Sequence, residues 1–220
     1  MTMKMKSIVL LLFCVTCAFT ATAQTLTIGP RIGVNLGRQI YDEDDSDLAD
    51  FWNEEVQMAT GLQAGLVTNV KFSDLFSVQP ELLYTVKGYK FESNDRIVTG
   101  RYDYLDVPVL AKISIGNGPL QGFVTLGPTF SYWMGGENQF ETDNGDFTED
   151  INFDDENDGV ENQFEAGASL GLGLAYNTGV GALNLDLRYG AGLSSVYDSD
   201  DDAKLRNESF GITLAYLFGL

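Results

Sequence analysis

Residues 76–91 read FSVQPELLYTVKGYKF, and their alternation decides the fold. Phe76, Val78, Pro80, Leu82, Tyr84 and Val86 occupy every second position. Ser77, Gln79, Glu81, Leu83, Thr85, Lys87 and Tyr89 occupy the positions between. Successive side chains of a strand point to opposite faces, so this stretch is a strand with one apolar and one largely polar face. The polar face carries two charges, Glu81 and Lys87. The stretch also exceeds the common strand length of about 5–6 residues. Length, alternation and flanking turns together describe a strand that crosses a membrane.

The same pattern recurs on both sides of it, over residues 26–38, 58–72, 101–115, 120–134, 164–176, 182–197 and 208–220. In each, Leu, Ile, Val, Phe or Tyr alternate with Gly, Ser, Thr, Asn, Gln or a charged residue. The connections alternate in length. Residues 73–75, 116–119 and 177–181 are tight turns, whereas 39–57, 93–100, 135–163 and 198–207 are longer and polar. The fold class expected is all-β: an eight-stranded antiparallel up-and-down transmembrane β-barrel of the outer-membrane type, with short periplasmic turns and long extracellular loops. A soluble lipocalin-like barrel is the rival. It would put the apolar face inward, yet here the glycine-rich face, the one suited to a crowded interior, is the polar one. Pro30, Pro80, Pro108 and Pro128 fall inside these strands, where a missing N–H predicts bulges.

Lys4 and Lys6, the apolar run 8–19 and the small-x-small Ala21-Thr22-Ala23 describe a cleavable export signal over residues 1–23. The barrel domain then spans residues 24–220. Both cysteines, Cys14 and Cys17, lie in the signal, so the exported chain has no disulfide. The formal net charge is −19, and −21 once Lys4 and Lys6 are gone, since eleven basic residues then face 32 acidic ones. So acidic a chain excludes nucleic acid as a partner and suits basic partners or divalent cations.

The run GLQAGLVTNVKFSDLFSVQPELLYTVKGYKF (61–91), the stretch YLDVPVLAKI (104–113) and the opening RIGVNLG (31–37) resemble the PorT-like outer-membrane β-barrel family of Gram-negative bacteria. Its members share a Gly-x-Asn first strand, here Gly33-Val34-Asn35. They also share a "QPELLY" strand, here residues 79–84, and a "YLEIP" strand ending in a basic residue, here residues 104–108 with Lys112. The resemblance implies an outer-membrane address and, from the founding member, assistance to protein secretion. This chain departs from it in ending Phe218-Gly219-Leu220 rather than in Phe, and in its strongly acidic third long loop.

The polar faces place nine charges inside the barrel: Arg31, Lys71, Lys87, Lys112 and Arg188 against Glu81, Asp106, Glu165 and Asp186. Unpaired buried charges are costly, so these are expected to pair into a lumen network that fills the barrel, with a small gated pore as the alternative. Tyr89, Tyr102, Tyr104, Tyr132, Trp133, Tyr189, Tyr197 and Tyr216 are candidates for the aromatic girdles at the membrane interfaces, or are strand aromatics of the ordinary kind.

The chain has no histidine, which removes Ser-His and Cys-His nucleophilic systems and His-ligated zinc. No enzyme is expected. The long loops are rich in acid, and residues 154–165 (DDENDGVENQFE) carry Asp154, Glu156 and Asp158 at calcium-loop spacing with Gly159 at the turn. Calcium takes about six to eight hard oxygen ligands, and these three carboxylates could supply some of them; the expectation is nonetheless a solvated acidic surface and no cofactor, with a calcium site as the alternative. The function expected is a structural or interaction barrel in outer-membrane lipid, with an unknown protein partner at its extracellular loops and a secretion-accessory role by resemblance. A small-solute pore or transporter is the second reading.

Overall fold

The structure is a computed structural model that describes residues 25–42, 55–93, 96–142, 145–151, 163–194 and 204–219. Its strands are β1 (Thr25–Asp42), β2 (Val56–Lys71), β3 (Phe76–Ser93), β4 (Arg96–Ile115), β5 (Leu120–Thr142), β6 (Phe147–Asp150), β7 (Phe164–Asn177), β8 (Gly181–Gly192) and β9 (Lys204–Gly219). Neighbours run β4-β3-β2-β1-β9-β8-β7-β5, and β5 pairs back onto β4. Eight antiparallel strands therefore close into a ring, as the alternation requires. The ninth, β6, adds to the end of β5 and stays outside the ring.

The outer face is an apolar belt. On β4 it runs through Leu105, Val107, Val109, Ile113 and Ile115, and on β7 through Phe164, Leu170, Leu172, Leu174 and Tyr176, all exposed. A belt of this height corresponds to the roughly 9–11 residues that a tilted strand needs to cross a bilayer. Charge reappears on the outer face at Arg38 and Glu208, joined 2.5 Å apart, and at Asp103, which accepts from the Tyr84 hydroxyl at 2.6 Å. Val70 departs from the pattern, because alternation sets it on the apolar face but it is buried.

All three short turns and both ends of the ring lie at one mouth. Two of those turns use a glycine in the left-handed region, Gly116 at φ 129° and Gly179 at φ 90°. Ser73 caps the other, its hydroxyl accepting from the Phe76 N–H at 3.0 Å.

The opposite rim is uneven. β3, β4 and β5 continue past the belt to Ser93, Arg96 and Thr142, so most of the expected loop 93–100 and the start of 135–163 are strand. At about 3.3 Å per residue, residues 88–93 alone raise this wall by ~20 Å. β7 and β8 stop near the belt, at Phe164 and Gly192.

The prolines do not make the expected bulges. Pairing resumes in unchanged register beyond Pro30, Pro80 and Pro108, and Pro128 pairs with Ala168 inside an uninterrupted ladder. Each proline removes one donor without adding a residue, so the register has nothing to absorb. The register shifts instead between Met58 and Gln63 and between Asp103 and Tyr104.

Candidate functional site: the filled lumen

The inward face of β3 is a ladder through the lumen. From the short-turn mouth upward it presents Ser77, Gln79, Glu81, Leu83, Thr85 and Lys87, all buried. Each level meets a different set of partners from the other strands.

At the Glu81 level four charges close a ring. Arg188 grips the Glu81 carboxylate with both terminal nitrogens, at 2.7 and 2.9 Å. Arg31 donates to Glu81 at 2.8 Å and to Asp186 at 2.5 Å, and Arg188 reaches Asp186 at 2.8 Å. Gln79 adds a donor to Glu81 at 2.6 Å, and the Thr213 hydroxyl accepts from Arg31. Two acids and two bases cancel, and the bidentate geometry is the strong form of the guanidinium–carboxylate pair. Asp186 is held close to bare backbone. A Cβ on Gly171 would lie 2.9 Å from its Oδ1, so only glycine fits beside it.

A cavity of about 50 Å³ separates this ring from a second group, and Lys87, Asp106, Glu165 and Arg188 are among its lining residues. Asp106, Ser131 and Glu165 are direct cross-strand partners on β4, β5 and β7. The Lys87 ammonium donates to Ser131 at 3.0 Å and lies 3.2 Å from Asp106 and 3.7 Å from Glu165. Its approach to Asp106 is an ion pair rather than an aligned hydrogen bond, since Asp106 Oδ1 accepts none. Asn207 donates to Glu165 at 2.6 Å and to the Tyr104 hydroxyl at 3.2 Å.

Aromatic rings close the lumen above. Tyr104 and Trp133 are both 0 % exposed and stack at 5.9 Å, while Tyr102 packs on Trp133 at 5.0 Å with Tyr89 beyond it. The Trp133 indole N–H donates to the Gly135 carbonyl at 2.9 Å and the Tyr102 hydroxyl to Asn138 at 3.0 Å. The girdle expectation is therefore corrected for Tyr102, Tyr104 and Trp133, which are lumen residues. Their positions show why: Tyr102 and Tyr104 keep the parity of Asp106, and Trp133 that of Ser131. Tyr132 is exposed, and Tyr189 and Tyr216 are partly so, on the outer face. Tyr197 lies outside the described residues.

Of the nine charges assigned to the lumen network, seven pair inside it. Lys71 does not. Its strand ends there, and its flexible stem lets the ammonium turn out to Asp74 in the adjacent turn at 2.9 Å. That hydrogen bond, and then the charge behind it, holds the Asp74 carboxyl below its usual range. Lys112 is inside but joins no carboxylate; its ammonium sits over the Phe123 ring, 4.0 Å from the centroid. Asp154, Glu156 and Asp158, the calcium candidates, lie outside the described residues.

A family model for the outer membrane protein beta-barrel domain matches residues 22–198. The chain belongs to that family. Its place is accordingly the outer membrane, with the apolar belt in lipid. Among solved structures, this outer-membrane barrel is similar to the outer membrane protein OprG from Pseudomonas aeruginosa, at 14 % identity and a TM-score of 0.50, over 90 % of this chain and 97 % of that one. It is also similar to Neisserial surface protein A, at 12 % identity and a TM-score of 0.46 over 89 % and 99 %. A third is Ail of Yersinia pestis in complex with the heparin analogue sucrose octasulfate, at 17 % identity and a TM-score of 0.41 over 88 % and 99 %. No curated protein matches the sequence. OprG supports the barrel fold of this member and nothing finer.

Proposed function

We propose that this barrel is a sealed, non-catalytic scaffold that presents its raised wall and acidic loops to a protein partner outside the cell. The observation that carries this is the contrast between its two halves. Among the described residues side chains occupy the lumen from the four-charge ring through Lys87 to the stacked Tyr104 and Trp133, which supports a sealed interior. The material not needed to cross a bilayer has gone into the rim, where β3, β4, β5 and β6 rise past the belt. By the usual arrangement of such barrels the short turns face the periplasm and this rim faces outward. Among the described residues β6 pairs with β5 alone, and Phe147 on it stacks with Phe140 at 4.7 Å. Export by the signal over residues 1–23 and acidic loops outside complete the picture. The PorT-like motifs favour a secretion-accessory role for this barrel.

Two measurements test the proposal. In planar bilayers the purified barrel should show no discrete conductance; stepwise openings would overturn the sealed scaffold and favour a pore. A photo-crosslinker at Thr99 on the raised wall should trap a protein in whole cells, while one at Leu172 in the belt should not. Equal results at both positions would remove the wall as the docking surface.

A further inference from the structure

The short-turn mouth opens into a vestibule of about 200 Å³, lined among others by Asn69, Ser77, Lys112, Ser114, Gln121 and Asn184. Among the described residues the lining also includes the apolar Leu75, Phe76 and Leu217, a second cation, Lys71, and one acid, Asp74, and Lys112 is the cation set deepest. Lys112 is 4 % exposed, and its ammonium meets the face of Phe123. Phe123 is itself pinned, because its ring rests against the bare Cα of Gly173.

The four inner cations Arg31, Lys87, Lys112 and Arg188 balance four acids, but Lys112 alone makes no direct ion pair, because Lys87 takes two of the acids. Glu81 and Asp186 are shared by Arg31 and Arg188, and Asp106 and Glu165 by Lys87. Among the described residues no carboxylate lies within salt-bridge distance of Lys112. A ring face offers an ammonium far less than a carboxylate does. Around it the Oδ1 atoms of Asn69 and Asn184 and the Thr125 hydroxyl are buried without protein partners. The amides can present either nitrogen or oxygen to a ligand, and the hydroxyls can donate.

We propose that this vestibule is a binding site for a small oxyanion, such as a phosphate group, with Lys112 supplying the charge that holds it. The size is right for a small ion with some water and too small for drug-sized ligands, which take roughly 300 Å³ or more. The acidity of the chain as a whole does not oppose it. The lumen acids are already engaged by Arg31, Arg188 and Lys87, and rim acids such as Glu92, Glu137 and Glu149 lie beyond Asp103, nine residues along β4 from Lys112, or about 30 Å at ~3.3 Å per residue. That is several times the screening length of about 8 Å at physiological salt. At the mouth itself Asp74 is the acid of the described turns, and Lys71 already neutralises it.

The phosphate group could be free in the periplasm or belong to a lipid headgroup, and the two are separable. The full barrel, folded in a sugar-based detergent and phosphate-free buffer, is titrated by calorimetry with inorganic phosphate and, separately, with glycerol phosphate. Saturable binding of one equivalent is expected. In K112M the affinity should fall at least about tenfold, the loss of one charge-assisted hydrogen bond. Heat-modifiable migration on a gel confirms that the variant is folded. The wild type offers a second readout, since one lysine ammonium resonance should shift with added phosphate. Saturation with glycerol phosphate alone identifies a headgroup as the source. No saturation with either ligand, no ammonium shift, or equal affinity in K112M would overturn the proposal.

Discussion

Removing the Glu81 carboxylate should be the most damaging single change in the lumen. Glu81 is 4 % exposed and accepts three guanidinium hydrogen bonds, two from Arg188 and one from Arg31. Charged hydrogen bonds contribute about 1.5–3 kcal/mol each, so three taken separately sum to several kcal/mol. They are not separate, because Asp186 stays and keeps one contact to each arginine. The governing quantity is instead the cost of leaving buried charge uncompensated, about 3–5 kcal/mol for one lost partner of a buried pair. Glu81→Ala should therefore lose ~3–5 kcal/mol, and Glu81→Gln, which keeps one acceptor oxygen, less. The double variant E81M/R188M removes a cation with the anion and should recover much of the loss despite deleting more contacts. Reversible denaturant unfolding in lipid vesicles, followed by tryptophan fluorescence, measures all three. A loss below about 1 kcal/mol for Glu81→Ala, or a double variant worse than Glu81→Ala, would refute the claim that the ring is held by mutual charge compensation.

Leu172 stands on the lipid face of β7, 59 % exposed, and Leu172→Arg should cost about 2–4 kcal/mol if it lies near the bilayer midplane. The same vesicle assay reads it, and a neutral result would displace the belt. For Asp74 the sign is that of a depressed carboxyl: its contribution is present above the ordinary carboxylate range and fades as pH falls through the folded value. Wild type and Asp74→Asn should thus differ slightly in favour of wild type at pH 7 and converge as pH falls through the folded value, in paired unfolding curves; the reverse order would contradict the Lys71 pairing. Calorimetric calcium titration should give matching traces for the folded wild type and D154A/D158A, as a solvated acidic surface requires; saturable binding lost in the variant would make those acids a metal site.

The fold was legible because one rule, alternation, acts residue by residue along every membrane strand. It put Leu82 and Tyr84 outside and Glu81 and Lys87 inside, as the structure has them. Much of the lumen network followed from the same rule, since Arg31, Glu81, Asp186 and Arg188 share the inner face and had to meet somewhere in a narrow barrel. What alternation cannot convey is how far a flexible side chain travels. Lys71 has inward parity but sits at a strand end, where its ammonium can leave the lumen for Asp74. Nor does parity reveal which inner charge is left over, because that depends on the stagger between strands far apart in sequence. The girdle assignment of Tyr104 and Trp133 failed for a different reason. A general preference of aromatics for interfaces was set against a positional signal that already placed both inside. The prolines misled because a lost N–H was equated with an inserted residue, and only insertion shifts a register.

The four-charge ring also bears on how the chain comes together in time. β1 and β3 bring Arg31 and Glu81, one charge of each sign, and β8 alone brings Asp186 and Arg188, again one of each. Each end of the sequence is thus electrically neutral at this level before it meets the other, so neither must carry a naked charge into the bilayer. The contacts between the two sets, Arg31 to Asp186 and Arg188 to Glu81, span the line where β1 meets β9. In the closed barrel they tie the first strands of the chain to the last across the lumen, so the ring acts as a latch between the two ends.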